Sequence, residues 1–260
     1  MMRRQRFRFG YSPQALLQRS IDKPSDPSGF GSGNADRSLH VLSLHVLSFH
    51  ALRIECLSMA NDLMEALAIR TAVDNWVLWR DAGDWERFRT VWHDDGVMMA
   101  TWFQGTADEF IRVSKEGFER GVNILHFQGA FTADIEGARA ISQTKMTINQ
   151  RALVDDVLCD VVCTGRFYDF FEKRNNRWGI VLRQPIYEKD RMDPVDPGKL
   201  LPLDQELLKR FPEGYRHLAY LQSNIGYKVK TDMPGLKGPA VEALYARGKR
   251  WLAGSVIERL

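Results

Sequence analysis

Cysteine is scarce in this chain: Cys56, Cys159 and Cys163 are the only three in 260 residues. They form no CxxC pair, and no histidine or second cysteine pair completes a zinc pattern, so neither a metal knuckle nor a disulfide framework is expected. Cys159 and Cys163, four apart, suit one face of a strand, where thiols act as small apolar fillers in a reducing, cytoplasmic compartment. Long hydrophobic runs are also missing. None approaches the ~18 residues that suggest a membrane span. Charge of one sign is nearly balanced, with a formal net charge of +3 and no basic stripe interleaved with aromatics. That argues against nucleic acid as a partner. No GxGxxG follows a strand pattern and no HExxH occurs, so no nicotinamide, flavin or metal cofactor is expected. What is present, 44% hydrophobic and 27% charged residues, is the composition of a globular protein with a real core.

The two ends differ from the middle. Residues Met1 to Ser58 carry Arg3, Arg4, Arg6, Arg8 and Arg19 with no acid before Asp22, then a Pro/Ser/Gly stretch from Pro24 to Gly33. This reads as a disordered leader, as a segment ahead of a true start near Met59, or as a transit-like peptide. His40, His45 and His50 recur every five residues, which matches neither a helix face nor a strand face, so no metal site is expected there. Past Asp190, the Asp193–Gly198 segment reads as a linker. The remainder, 191–260, reads as a helical extension with helices near Leu203–Arg210, Tyr215–Gln222 and Ala240–Leu252. The apolar stripe of the last one cannot be buried by that helix alone and must cover the main domain or a second subunit.

The middle, 59–190, carries the chemistry. Ile69, Val73, Trp76 and Val77 follow helical spacing, and Asp81 extends that row to the helix's end at Gly83. A carboxylate there meets the negative end of the helix dipole, a cost of roughly 0.3–1 kcal/mol, and on the apolar side desolvation adds to it. Either Asp81 has a specific partner or it simply faces solvent past a frayed end. Asp84 reads as the cap of a second helix and Thr106-Ala107-Asp108-Glu109 as a capping box opening a third. Strands follow: Val97–Phe103, Ile124–Thr132 containing His126, Ala138–Gln150 in clear period two, Val157–Glu172 with a bulge near Gly165, and Trp178–Tyr187 after an Asn175-Asn176 turn. Pro185 is expected at an edge or a strand end.

This order of helices and long strands, with Asp81-x-x-Asp84-Trp85, Leu125-His126-Phe127-Gln128-Gly129 and Trp178, resembles the nuclear transport factor 2-like superfamily. Within it, the chain is similar to the SnoaL-like enzymes and scytalone dehydratase over about Asn61 to Asp190. The resemblance implies an α+β fold, a cone-shaped, curved mixed sheet wrapped by N-terminal helices. It implies a homodimer through the outer sheet face, and Asp81 supporting a catalytic His126. The dehydratase's second histidine falls near Asn149 here, which can bind an oxygen but cannot move a proton. Its Ser and Asn fall near Gly165 and Phe167.

The residues support an Asp–His reading on their own terms. A neutral imidazole is a natural general base at neutral pH, and a carboxylate on its other nitrogen fixes the tautomer. Asn149 or Tyr168 would hold a substrate oxygen. Trp76, Trp79, Trp102, Phe103, Phe127 and Phe167 would wall a ring-bearing, hydroxylated or carbonyl ligand, although aromatics at these spacings also build plain core. The expectation is a cofactor-independent lyase or isomerase, dehydratase-like. The alternatives are a carboxylate-activated hydrolase and a non-catalytic ligand-binding or oxygenase small-subunit-like module.

Overall fold

The computed structural model describes residues 34–257, and the reading of Met1–Gly33 lies outside them. The chain divides into two units, one ending at Leu57 and one beginning at Ser58. A single helix, α1 (Asn34–Ala82), runs through that boundary. The resemblance begins near Asn61, but the helix that opens it reaches back to Asn34, and no glycine or proline occurs between Asn34 and Ala82 to stop it. Among the described residues no helix is long and apolar enough to cross a membrane.

From Ser58 onward the fold is α+β. After α1 come α2 (Trp85–Arg89), β1 (Trp92–Met99), β2 (Gln104–Thr106), α3 (Ala107–Glu119), β3 (Asn123–Glu136), β4 (Arg139–Val154), β5 (Val157–Arg174) and β6 (Arg177–Pro194). The extension adds α4 (Gln205–Lys209), a 3₁₀ turn at Glu213–Tyr215, α5 (Arg216–Asn224) and α6 (Pro239–Leu252). The caps sit where the sequence puts them. The Asp84 carboxylate accepts from the Arg87 N–H at 3.2 Å, and the Thr106 hydroxyl accepts from the Glu109 N–H at 3.3 Å. α2 is a short helix that ends at Arg89, and by Trp92 the chain has joined the sheet.

The strands form one curved, unclosed mixed sheet in the order β2-β1-β6-β5-β4-β3. β1 runs parallel to β6 and all other pairs are antiparallel. Asn175 and Asn176 both take positive φ (50° and 60°), the left-handed conformation a two-residue hairpin turn requires. The register of β5 against β6 shifts between Thr164 and Gly165, and Gly165 has no Cβ because the Ile186 carbonyl oxygen would stand 2.0 Å from it. Pro185 lies inside β6, just beyond Arg183, where the recorded pairing with β1 ends.

Alternation gives the sheet two faces. His126, Ile148 and Phe167 turn to the inner face with Trp76 of α1 and the aromatic cluster of Phe88, Trp92 and Phe110. On the outer face α6 lies over Tyr168 and Phe170, with ring centroids 5.5 Å from Tyr168 to Tyr245 and 6.3 Å from Phe170 to Trp251. The amphipathic stripe of the extension therefore covers its own domain. Its closest approach is at Gly248, where a Cβ would stand 2.0 Å from the Tyr168 hydroxyl oxygen. Gly248→Ala is expected to lower stability by about 1–3 kcal/mol through overpacking. Tyr168→Phe in the same chain should restore part of it, read as the midpoint of urea or thermal unfolding.

Candidate active site

The end of α1 and the start of β3 meet through one carboxylate. Asp81 Oδ2 accepts the backbone N–H of His126 at 2.6 Å, and Asp81 Oδ1 lies 2.8 Å from His126 Nδ1. Nδ1 donates in that pair, so Nε2 carries the ring's free lone pair. Arg80 Nη1 donates to Asp81 Oδ1 at 3.2 Å and to the Ile124 carbonyl at 3.1 Å, pinning the same junction from the other side. The His126 side chain is only 6% exposed, and Trp76 meets it edge-on at 5.3 Å between centroids.

Burial is the largest influence on both members of the pair, and it acts against charge on each. For His126 it wins: the pKa falls, although the Asp81 hydrogen bond and charge pull upward, while Arg80 and Arg183 push it further down. For Asp81 burial is outweighed by the His126 ring, by Arg80 and by the His126 N–H, and the pKa falls. At neutral pH the pair is a carboxylate holding a neutral imidazole, the protonation state a general base needs. Behind it lies a second ion pair with both side chains fully buried. Arg183 Nε and Nη2 each donate to Asp169 at 2.7 Å, and the guanidinium sits over the Trp76 and Phe167 rings at 4.3 and 4.0 Å.

His126 lines a cavity of about 30 Å³, room for roughly two water-sized groups. Trp76, Trp102, Phe110 and Phe167 give it apolar walls. Arg80, Thr101, Gln150 and, from α5 of the extension, Gln222 give it polar ones. Of the residues singled out in the sequence, Asp81 and His126 are joined here, and Trp102 and Phe167 stand at the cavity. Trp79 instead packs under the Arg87 guanidinium at 5.5 Å, and Phe103 lies behind Trp102 and Phe110. Asn149 pairs with Leu125, one residue out of phase with the inward His126–Ile148 pair, so it stands on the outer face. Tyr168 is on that face too, under α6, and Phe127 is 74% exposed. Neither Asn149 nor Tyr168 reaches the cavity. Thr101, Gln150 and Gln222 were not singled out, since the phase of β4 and the docking of α5 leave no local signal.

A family model described as the SnoaL-like domain matches residues 61–184. A PEP2-like protein of Fusarium vanettenii is 39% identical over 207 residues, covering 75% of this chain and 89% of that protein. The chain belongs to one family with this PEP2-like protein, and its residues 61–184 carry a SnoaL-like domain. Pea pathogenicity protein 2 of the same organism is 38% identical over 206 residues, covering 75% of this chain and 88% of its own length. These alignments are longer than the SnoaL-like match itself, so the likeness reaches beyond the domain. Among solved structures, a hexachlorocyclohexane dehydrochlorinase (LinA type 2) overlaps 56% of this chain and 98% of its own at 10% identity, with a TM-score of 0.46.

A second buried imidazole separates structure from site in this SnoaL-like domain. His93 Nε2 meets the Glu172 carbonyl at 2.8 Å and Nδ1 meets Arg177 at 3.2 Å, and burial holds its pKa below the usual value. Both His126 and His93 bind a proton more readily in the unfolded chain, where the pKa returns to about 6.5. The unfolded state therefore takes up more protons as pH falls below that value, and stability should drop on acidification from about pH 6.5 downward. His126→Asn, whose amide keeps a donor near the Nδ1 position, should flatten part of that dependence in denaturation series run from neutral to mildly acidic pH. An unchanged slope would show that His126 does not titrate with folding.

Proposed function

We propose that the chain is a cofactor-independent lyase or isomerase, dehydratase-like, in which Asp81 and His126 move a proton on a small organic molecule. The observation that carries this is the 2.8 Å contact between Asp81 and His126 Nδ1 on a ring that lines a cavity. His126 Nε2 takes the proton, and Asp81 orients the ring and balances the imidazolium that forms. The imidazolium then returns the proton, to a departing hydroxyl in a dehydration or to another carbon in an isomerisation. Trp102 and Phe167 pack against a ring-bearing, hydroxylated or carbonyl ligand. A homodimer would use the outer sheet face, where Leu125 and Phe127 are exposed. Buried free thiols at Cys159 and Cys163 suit a cytoplasmic setting.

Screening hydroxylated and carbonyl ring compounds for turnover tests this directly. His126→Asn is expected to lower kcat by about 10²–10⁴-fold, and Asp81→Asn by about 10–100-fold. Full turnover in the His126→Asn chain would overturn the assignment. One observation favours a second reading, a non-catalytic ligand-binding module: the cavity is narrow, and Leu218 and Gln222 of α5 close one side of it. Saturable binding with no turnover across the screen would decide for that reading.

A further inference from the structure

The unsatisfied polar groups around the cavity are all of one kind. Trp76 Nε1 and Arg80 Nε are buried and meet no hydrogen-bond partner among the described residues, and both side chains line the cavity. Gln222, only 3% exposed, supplies a third donor from α5. The Thr101 hydroxyl donates to Gln222 Oε1 at 2.7 Å, which fixes the amide. Its Nε2 is left with a contact of 3.5 Å to Gln150 Oε1, at the far limit of hydrogen bonding. A buried donor without a good acceptor is costly to keep, and here one of the three belongs to a permanent cation. Arg80 already meets the Asp81 carboxylate through Nη1, but its Nε, like the Trp76 and Gln222 donors, is left without a good acceptor on the cavity.

We infer that Trp76, Arg80 and Gln222 form an oxyanion-binding site, with Gln222 as the positioning residue through which the C-terminal extension enters it. The inference rests on the proton-transfer reading and adds where the electrons go. When a proton leaves a substrate carbon for His126 Nε2, the C–H pair becomes a C=C bond and the neighbouring carbonyl pair moves onto oxygen. That oxygen gains the charge these donors meet. It replaces Gln150 Oε1 as the partner of Gln222 Nε2, so the amide–amide contact across the cavity parts on binding and the space next to α5 widens.

The test uses 4-nitrophenol, whose ionised form is coloured and whose neutral form is not, with the full chain at a pH below the phenol's own pKa. Wild type is expected to bind it as the phenolate. Gln222→Met, close in volume but without the donor, and Trp76→Phe should each weaken that binding about tenfold and reduce the ionised fraction. Melting curves identify any variant that fails to fold, and the other then carries the comparison. Absence of binding, binding as the neutral phenol, or equal affinity in both variants would overturn the inference. His126→Asn separates it from the proton-transfer reading: that chain should still bind phenolate while losing turnover. If it keeps turnover while phenolate binding depends on Gln222, the acid–base assignment falls and the anion site stands.

Discussion

The Asp81 carboxylate is the constraint the rest of the domain arranges itself around. It ends a helix at the pole where negative charge is least welcome, and it is largely withdrawn from water. Three donors offset that: the His126 N–H, the His126 ring and Arg80. Because one carboxylate holds both the backbone and the ring of the same residue, the register of β3 and the orientation of the imidazole are a single condition. A slip of one residue would present Leu125 or Phe127 to the carboxylate and cost it the imidazole hydrogen bond. The pairing also sets which face of β4 and β5 looks inward, through His126 opposite Ile148 and Ile148 opposite Cys163.

Local chemistry was legible in the sequence wherever a side chain acts on its own backbone or follows a strong period. The caps at Asp84 and Thr106, the stop at Gly83, the Asn175-Asn176 turn and the bulge at Gly165 all follow from a few neighbouring residues. Asp81 stood out because helix energetics disfavour it. What depends on tertiary register was not legible. Asn149 and Gln150 are adjacent amide residues, and only pairing decides that Gln150 faces the cavity while Asn149 faces out. Gln222 was out of reach for a different reason, since α5 arrives from a segment separated from the site by a linker and carries no motif. The full reach of α1 back to Asn34 was also missed, because its polar and apolar residues make no clean stripe.

The C-terminal extension does two separate jobs. α5 packs into the inner side, where Leu218 and Gln222 complete the cavity wall, and Asp190 of β6 fastens its first turn through the Leu218 N–H at 2.8 Å and the His217 ring at 2.9 Å. α6 instead covers outer-face aromatics that would otherwise meet water, with Arg166 donating to the Tyr245 hydroxyl at 2.6 Å. Among the described residues, a carboxylate bridging a backbone N–H and a histidine Nδ1 thus occurs twice, once to build the site and once to hold its wall.

The parallel pairing of β1 with β6 has a consequence for how the chain reaches this state. β3 to β6 form a meander whose hairpins close between sequence neighbours, whereas β1 can join β6 only after the whole meander has been traversed. Contacts of such long sequence separation require closing a large loop before they return any stabilisation, and they form slowly. The meander is therefore the natural early nucleus, with Trp92 and Met98 docking later. Until then the inner aromatic face stands open to water and to other chains. The interval between meander and closure is where misassembly competes with folding.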